Sequence, residues 1–318
     1  MRLIALEEHF VMNDPVQIDR WKSMASIVPK PFIEKILPVL TDVGERRLEA
    51  MSRAGIDMAV LSNVGSVQGV LDPTIAMRLA REANDYLAAT VQKHPTRYAG
   101  FATVPLQDPA AGADELERAV RELGMKGAML FGTTNGKYLD DDRFAPFWER
   151  VEALGCPVYL HAADAPIPPV GLTGRPELLG PTWAWTAETA THALRLVMGG
   201  VFECYPGVRV ILGHMGETLP YLLWRLDRRV QAFSADGKQP ARPSDLIKRN
   251  IAITTAGVCS NTALICALDS VGSENVMFSV DHPFESMDES SEWFNAAPIS
   301  SVQREALSWG NAQRILKL

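Results

Sequence analysis

The chain has 318 residues, 47% of them hydrophobic and 22% charged, with a formal net charge of −7. That balance fits a soluble globular protein, and with no cluster of Lys or Arg to hold a phosphate backbone it excludes nucleic acid as an expected partner. No apolar run approaches the roughly 20 residues needed to span a bilayer, which excludes a membrane span.

The N-terminus enters an apolar run directly after Met1-Arg2, without a separate basic region, long apolar core or small-residue cleavage site, so the expected location is the cytoplasm. Cys156, Cys204, Cys259 and Cys266 show no CxxC spacing, which argues against a zinc knuckle or a disulfide framework and for reduced core residues.

The elements alternate along the chain. A strand over 3–9 opens it, followed by a segment over roughly 11–42 rich in Pro, Met and Trp. Helical periodicity over 46–54 leads to a strand over 57–62, then come a helix over 74–93, a strand over 98–104, a helix over 109–123 and a strand over 127–131. A helix over 145–154 and a strand over 157–161 precede a second irregular segment, roughly 162–186. The rest reads as a helix over 187–198, strand 208–214, helix 219–233, strand 251–255, helix 261–270, strand 276–281 and a last helix around 290–297. Eight βα units predict an α/β chain folded as one closed (β/α)8 barrel over 1–318, and the near-continuous apolar strands match a parallel sheet covered on both faces. A doubly wound sheet loses because no GxGxxG follows the first strand. The two irregular segments are long βα loops of the kind that cover a site.

Barrel sites lie at the C-terminal ends of the strands. Four predicted strands end on chemically able residues: Glu7-Glu8-His9, His161, His214 and Asp281. Glu7 and His9 are two apart and share one strand face, while Glu8 points the other way and needs its own partner. Carboxylate and imidazole together suit a divalent ion such as zinc or manganese, and His161 and Asp281 complete a four-residue shell. A lone His in an apolar strand is most often a hydrogen-bonded core residue, yet three of the six histidines end predicted strands. His94 reads as a helix-end residue and His192 as a helix-interior one, and the role of His282 is left open.

Glu7-x-His9, "YLHAADAP", "ILGHMGETLPYLLWRLD" and "FSVDHPFE", with "PLQDP", "LLGPTWAWTAETATHALRL" and "WFNAAPIS", resemble the amidohydrolase superfamily along nearly the whole chain. The resemblance is to its decarboxylase branch, typified by γ-resorcylate, 2,3-dihydroxybenzoate and 5-carboxyvanillate decarboxylases. It implies a distorted (β/α)8 TIM barrel in a homodimer or homotetramer, with Glu7, His9, His161 and Asp281 as metal ligands and His214 with Glu217 beside the metal. "KGAMLFGTTNG" carries no bridging Lys or Glu at the end of strand four, so one ion per subunit, Zn2+ or Mn2+, is expected. "HAADAP" replaces the usual His-Pro-Arg, and His282 stands where Trp or Tyr is common.

The implied activity is non-oxidative decarboxylation of a small aromatic carboxylate, an ortho-hydroxybenzoate whose carboxylate and hydroxyl can chelate one ion. Protonating the ring carbon that bears the carboxylate is easier than leaving an aryl carbanion; Asp281 is the candidate acid, assisted by His214 and Glu217, and the reaction is expected to be reversible. Phe10, Trp183, Trp185 and Phe284 are expected to flank the mouth, and Arg225 to meet a substrate oxygen or an adjoining subunit. The competing class is a metal-dependent, lactonase-like hydrolase using the same ligands; the missing strand-four bridge, "DHPFE" and "GPTWAW" favour decarboxylation. A catalytically dead barrel is disfavoured by the intact ligand set.

Overall fold

The computed structural model describes residues 2–24, 28–233 and 241–318. Its parallel strands are β1 (Ile4–Phe10), β2 (Met58–Asn63), β3 (Tyr98–Gly100), β4 (Ala102–Thr103), β5 (Ala128–Phe131), β6 (Val158–His161), β7 (Val210–Leu212), β8 (Ile251–Thr254) and β9 (Val276–Met277). They pair in chain order within two sheets, β1 to β3 and β4 to β9.

The strand expected over 98–104 is broken at Phe101 into β3 and β4. Phe101 N–H donates to Leu61 O on one side and Ala102 N–H to Gly127 O on the other, so one bent segment hands the ladder from β2 to β5. At the other seam, His9 N–H donates to His282 O at 2.6 Å and Asp281 N–H to Glu7 O at 3.1 Å, with a parallel bridge between Glu8 and His282. The result is a distorted (β/α)8 barrel. The eighth strand is shorter than expected: its ladder ends at Met277, and 278–281 run on irregularly to Asp281, whose φ is +80°.

Around the strands lie α1 (Pro15–Met24), α2 (Lys30–Leu40), α3 (Glu45–Arg53), α4 (Pro73–Lys93), α5 (Pro109–Arg121), α6 (Ala145–Leu154), α7 (Ala184–Met198), α8 (Val201–Cys204), α9 (Leu219–Phe233), α10 (Pro243–Asn250), α11 (Asn261–Val271), α12 (Met287–Ala296), α13 (Ser301–Glu305) and α14 (Asn311–Leu316). Two start on the same signal. Asp72 and Asp108 each accept two backbone N–H groups of the first turn, with a proline directly after.

Strand alternation sorts the side chains into two layers. Leu61, Leu130, Leu160, Leu212 and Ile253 face the helices. Ile4, Leu6, Val60, Met129, Tyr159, Ile211 and Ala252 fill the barrel, and Ala312, Ile315 and Leu316 of α14 pack against that inner cluster. On β1 the alternation changes phase. Ala5 pairs with Ala59 but Glu8 with Leu61, so β1 carries one extra residue between them. This bulge moves the inward face from even to odd numbers and thereby aims Glu7 and His9 into the barrel.

The predicted insertion over 11–42 contains helices α1 and α2; residues 25–27 within it lie outside the described residues. Trp21, Ile36 and Leu40 form a small core with Val11 and Val64, and Phe131 and Phe284 pack against it. The insertion therefore leans on the barrel mouth. The segment over 162–186 forms three short 3-10 turns before α7 begins at Ala184, three residues earlier than expected.

Candidate metal centre

Glu7, His9, His161 and Asp281 converge, each offering one ligand atom within 4.8 Å of the others. Glu7 and His9 are fully buried, and Asp281 is the most exposed of the four. Glu7 Oε1 lies 3.1 Å from His161 Nε2 and 3.8 Å from His9 Nε2, and His9 Nε2 lies 3.2 Å from Asp281 Oδ1. Among the described residues Glu7 Oε1 has no hydrogen-bond partner, although it is buried. A buried carboxylate oxygen without a donor is costly, and here it faces two imidazoles whose outer nitrogens are already engaged. His9 Nδ1 meets Ser62 Oγ at 2.9 Å, and His161 Nδ1 donates to Ala162 O at 2.7 Å, leaving an Nε2 lone pair on each ring for the centre. Two imidazoles and two carboxylates so arranged fit a single zinc or manganese ion.

Burial alone would raise the Glu7 carboxyl, but His214, His161 and His9 hold it well below the usual range. Burial opposes charge on His9, yet Asp281 and Glu7 outweigh it and lift the imidazole to about 9. A carboxyl held low beside an imidazole held high in one buried pocket has the electrostatics of a site that exchanges a proton for a cation.

His214 follows β7. Its Nδ1 lies 2.6 Å from Glu217 Oε1, and its Nε2 lies 3.8 Å from Glu7 Oε1 and 3.7 Å from Asp281 Oδ2. Burial opposes its protonation, but Glu7, Asp281 and Glu217 raise it well above the ordinary imidazole value. The local backbone is strained: His214, Met215, Glu217, Thr218 and Asp281 are five of the seven non-glycine residues with positive φ among the described residues. Gly257 closes one side, where a Cβ would come within 3.2 Å of His214 Cδ2.

Glu8, turned outward as expected, accepts from Val280 N–H at 3.0 Å, and burial pushes its carboxyl up to about 8. His282 is buried and neutral: burial, then Arg47 and His9, pull it down to about 2. Arg47 lies beneath β1 and donates from Nη2 to His9 O at 2.6 Å.

Of the expected substrate contacts, Phe284 reaches the site, its ring centroid 5.8 Å from that of His9. Phe10 does not. It is fully buried and stacks on Tyr86, because it shares the outward face of Glu8 rather than the inward face of His9. Trp183 is 49% exposed, and Trp185 donates to Asp164 Oδ1 at 2.9 Å; both sit beside the loop after β6, and neither ring packs on a ligand histidine. Arg225 is exposed on α9. Sequence reasoning missed Phe131, 4.4 Å from His161 ring to ring, and the buried hydroxyls of Ser62 and Tyr159, all signalled by inward strand positions next to predicted ligands.

A distorted (β/α)8 barrel with a His-and-carboxylate centre at its C-terminal mouth defines a metal-dependent barrel enzyme. A family profile described as Amidohydrolase matches residues 42–318. The chain is 42% identical to the γ-resorcylate decarboxylase of Polaromonas sp. strain JS666, over 99% of this chain and 98% of that relative. A 2,6-dihydroxybenzoate decarboxylase solved with 2,6-dihydroxybenzoate superposes with a TM-score of 0.93 at 40% identity, covering 100% of both chains. A dihydroxybenzoic acid decarboxylase from Polaromonas sp. JS666, solved with manganese and the inhibitor 2-nitroresorcinol, gives 0.91 at 41% identity, covering 100% of this chain and 97% of the other. The chain belongs to the amidohydrolase family.

Proposed function

We propose that residues 1–318 form one catalytic barrel, a metal-dependent non-oxidative decarboxylase of ortho-hydroxybenzoates of the γ-resorcylate type. The observation that carries this reading is the buried Glu7–His9–His161–Asp281 donor set with an orphaned Glu7 oxygen, in a chain that matches such decarboxylases end to end. Glu7, His9, His161 and Asp281 would hold one manganese or zinc ion. When bound, that ion supplies a charged attachment point for the substrate carboxylate and its ortho hydroxyl.

The protein's own groups then handle the proton. Asp281 carries it as a carboxylic acid and delivers it to the ring carbon bearing the carboxylate. The carbon–hydrogen bond forms, the carbon–carbon bond breaks, and its electron pair restores the aromatic ring as carbon dioxide leaves. His214, held through Nδ1 by Glu217, directs Nε2 towards the phenolic oxygen; its side chain is 21% exposed, so it takes a proton from solvent and returns it to Asp281, 3.7 Å away. Phe131 and Phe284 wall the ring, with Trp183 and Trp185 supplying the outer wall. Phe131, apolar, occupies the end of the fourth barrel strand where a two-metal hydrolase would need a bridging ligand, which favours lyase over lactonase chemistry.

Tyr221 and Trp224 stand 82% and 75% exposed on α9 beside Arg225, a face suited to a second copy, and we propose a homodimer or homotetramer in which Arg225 meets the neighbour or its substrate. No helix among the described residues is long and apolar enough to cross a membrane, and we assign the enzyme to the cytoplasm. The test is to incubate manganese-loaded protein with a panel of hydroxybenzoates and lactones. Carbon dioxide release from ortho-hydroxybenzoates, much slower release from meta isomers and carboxylation of the phenol under high bicarbonate are expected. Lactone opening without carbon dioxide release would overturn the reading.

A further inference from the structure

Beneath the donor set runs a chain of hydrogen bonds with one direction. Tyr159 is on β6, two residues before His161, so it points into the barrel on the same face, and it is fully buried. Its hydroxyl bonds Glu7 Oε2 and lies 2.9 Å from Thr254 Oγ1, at the end of β8. The Thr254 hydroxyl in turn lies 3.4 Å from Ala256 N–H. A carboxylate only accepts, so the single Tyr159 proton goes to Glu7; the phenol oxygen then accepts from Thr254, whose oxygen accepts from Ala256. Every donor points towards Glu7. Gly213 leaves room for this arrangement, since a Cβ there would sit 2.5 Å from Glu7 Oε2 and 3.2 Å from Tyr159 Oη.

The two Glu7 oxygens therefore have different environments: Oε2 is held by a phenol, while Oε1 is buried, unpartnered and aimed at His161 and His9. We propose that Tyr159 is a positioning residue of the metal centre: anchored by Thr254, its hydroxyl holds Glu7 Oε2 and so fixes the carboxylate with Oε1 turned towards His161 and His9. Tyr159→Phe would keep the ring and lose the hydrogen bond, leaving the carboxylate free to turn.

The inference rests on the metal centre proposed above. The experiment compares manganese-loaded wild type, Tyr159→Phe and Thr254→Val by the rate of manganese transfer to a chelator and by the Mn2+ electron paramagnetic resonance spectrum, with circular dichroism as the check on folding. Tyr159→Phe should fold, release manganese about 10- to 100-fold faster and show an altered spectrum, the range typical of lost outer-shell partners. Thr254→Val should move both readouts the same way by less, because the phenol stays but loses its anchor. Wild-type release rates and spectra in both variants overturn the assignment and leave Tyr159 as packing. If Tyr159→Phe does not fold, Thr254→Val decides alone: a shifted spectrum supports the relay, an unshifted one overturns it. Wild-type protein that takes up no manganese overturns the centre itself, a distinct outcome.

Discussion

Ser62 Oγ and His9 Nδ1 stand 2.9 Å apart, both buried, on adjacent strands whose register pairs these two residues directly. The contact holds the imidazole plane and keeps the Nδ1 side engaged, so Nε2 faces Asp281 and His161. Ser62→Ala should weaken manganese binding about 10- to 100-fold with little loss of fold stability, the usual consequence of removing a partner from a ligand histidine. Equilibrium dialysis against manganese checks it; unchanged affinity would show that packing alone orients the ring.

Asp281→Asn keeps a carbonyl oxygen for the ion and removes the carboxylic proton. We expect partial retention of metal and substrate affinity with kcat down at least about 10²-fold. The measurement is single-turnover decarboxylation on protein whose metal content has been restored and counted, with deuterium incorporation into the phenol followed in heavy water. Near wild-type turnover would move the proton donor to His214.

In the metal-free protein His9 titrates at about 9 because the pull of Asp281 and Glu7 exceeds the burial cost, so at pH 7.5 it is protonated and must lose that proton to ligate. Manganese uptake should release about one proton, and apparent affinity should rise about tenfold per pH unit until pH approaches 9. Calorimetry in buffers of different ionisation enthalpy counts the proton. A pH-independent affinity between 6 and 8 contradicts the assignment of His9 as a ligand.

His192 is buried in α7 and accepts the Leu139 N–H at Nε2, 3.0 Å away, while burial and then Arg195 lower it to about 3. Its folded value lies below the unfolded value of about 6.5, so the unfolded chain takes up the proton first. The associated stability is complete above pH 6.5 and declines below it, by about 2 kcal/mol at pH 5. His192→Gln does not titrate there, so the stability gap between wild type and variant in urea melts should shrink by about that amount from pH 7 to pH 5. A constant gap would falsify the buried-neutral assignment.

Arg47 is 2% exposed and holds His9 O through Nη2 and Asp42 O through Nε. Arg47→Met strands both carbonyls and removes a cation near buried Glu8. A loss of about 3 kcal/mol or more is expected, and a change under 1 kcal/mol in denaturant unfolding would mean that the carbonyls find other donors.

The barrel order is readable because each βα unit alternates a short apolar run with an amphipathic helix, and the candidate ligands because Glu7, His9, His161 and Asp281 interrupt apolar strands at their ends. Other features left fainter marks. Tyr159 and Ser62 read as ordinary strand residues, and only counting two back from His161 singles out the first. Phe10 lies next to His9 in sequence but shares the parity of Glu8, and it is the parity that turns its ring away from the mouth. The bulge between Ala5 and Glu8 has no sequence signature of its own: it exists because β2 offers one residue fewer than β1 between the same two rungs. The break at Phe101 is likewise a property of curvature, arising where one segment must satisfy two neighbours.

Glu7 and His9 belong to the first strand and Asp281 to the run beyond the last, joined where His9 N–H meets His282 O and Asp281 N–H meets Glu7 O. His161 lies on a strand between them, so the four donors come together only when the first and last barrel segments meet. Until that last segment docks, Glu7 and His9 lack Asp281, and the four-donor set is incomplete. The donor set is thereby tied to the seam of the barrel: whatever parts the first and last segments also takes the four donors apart.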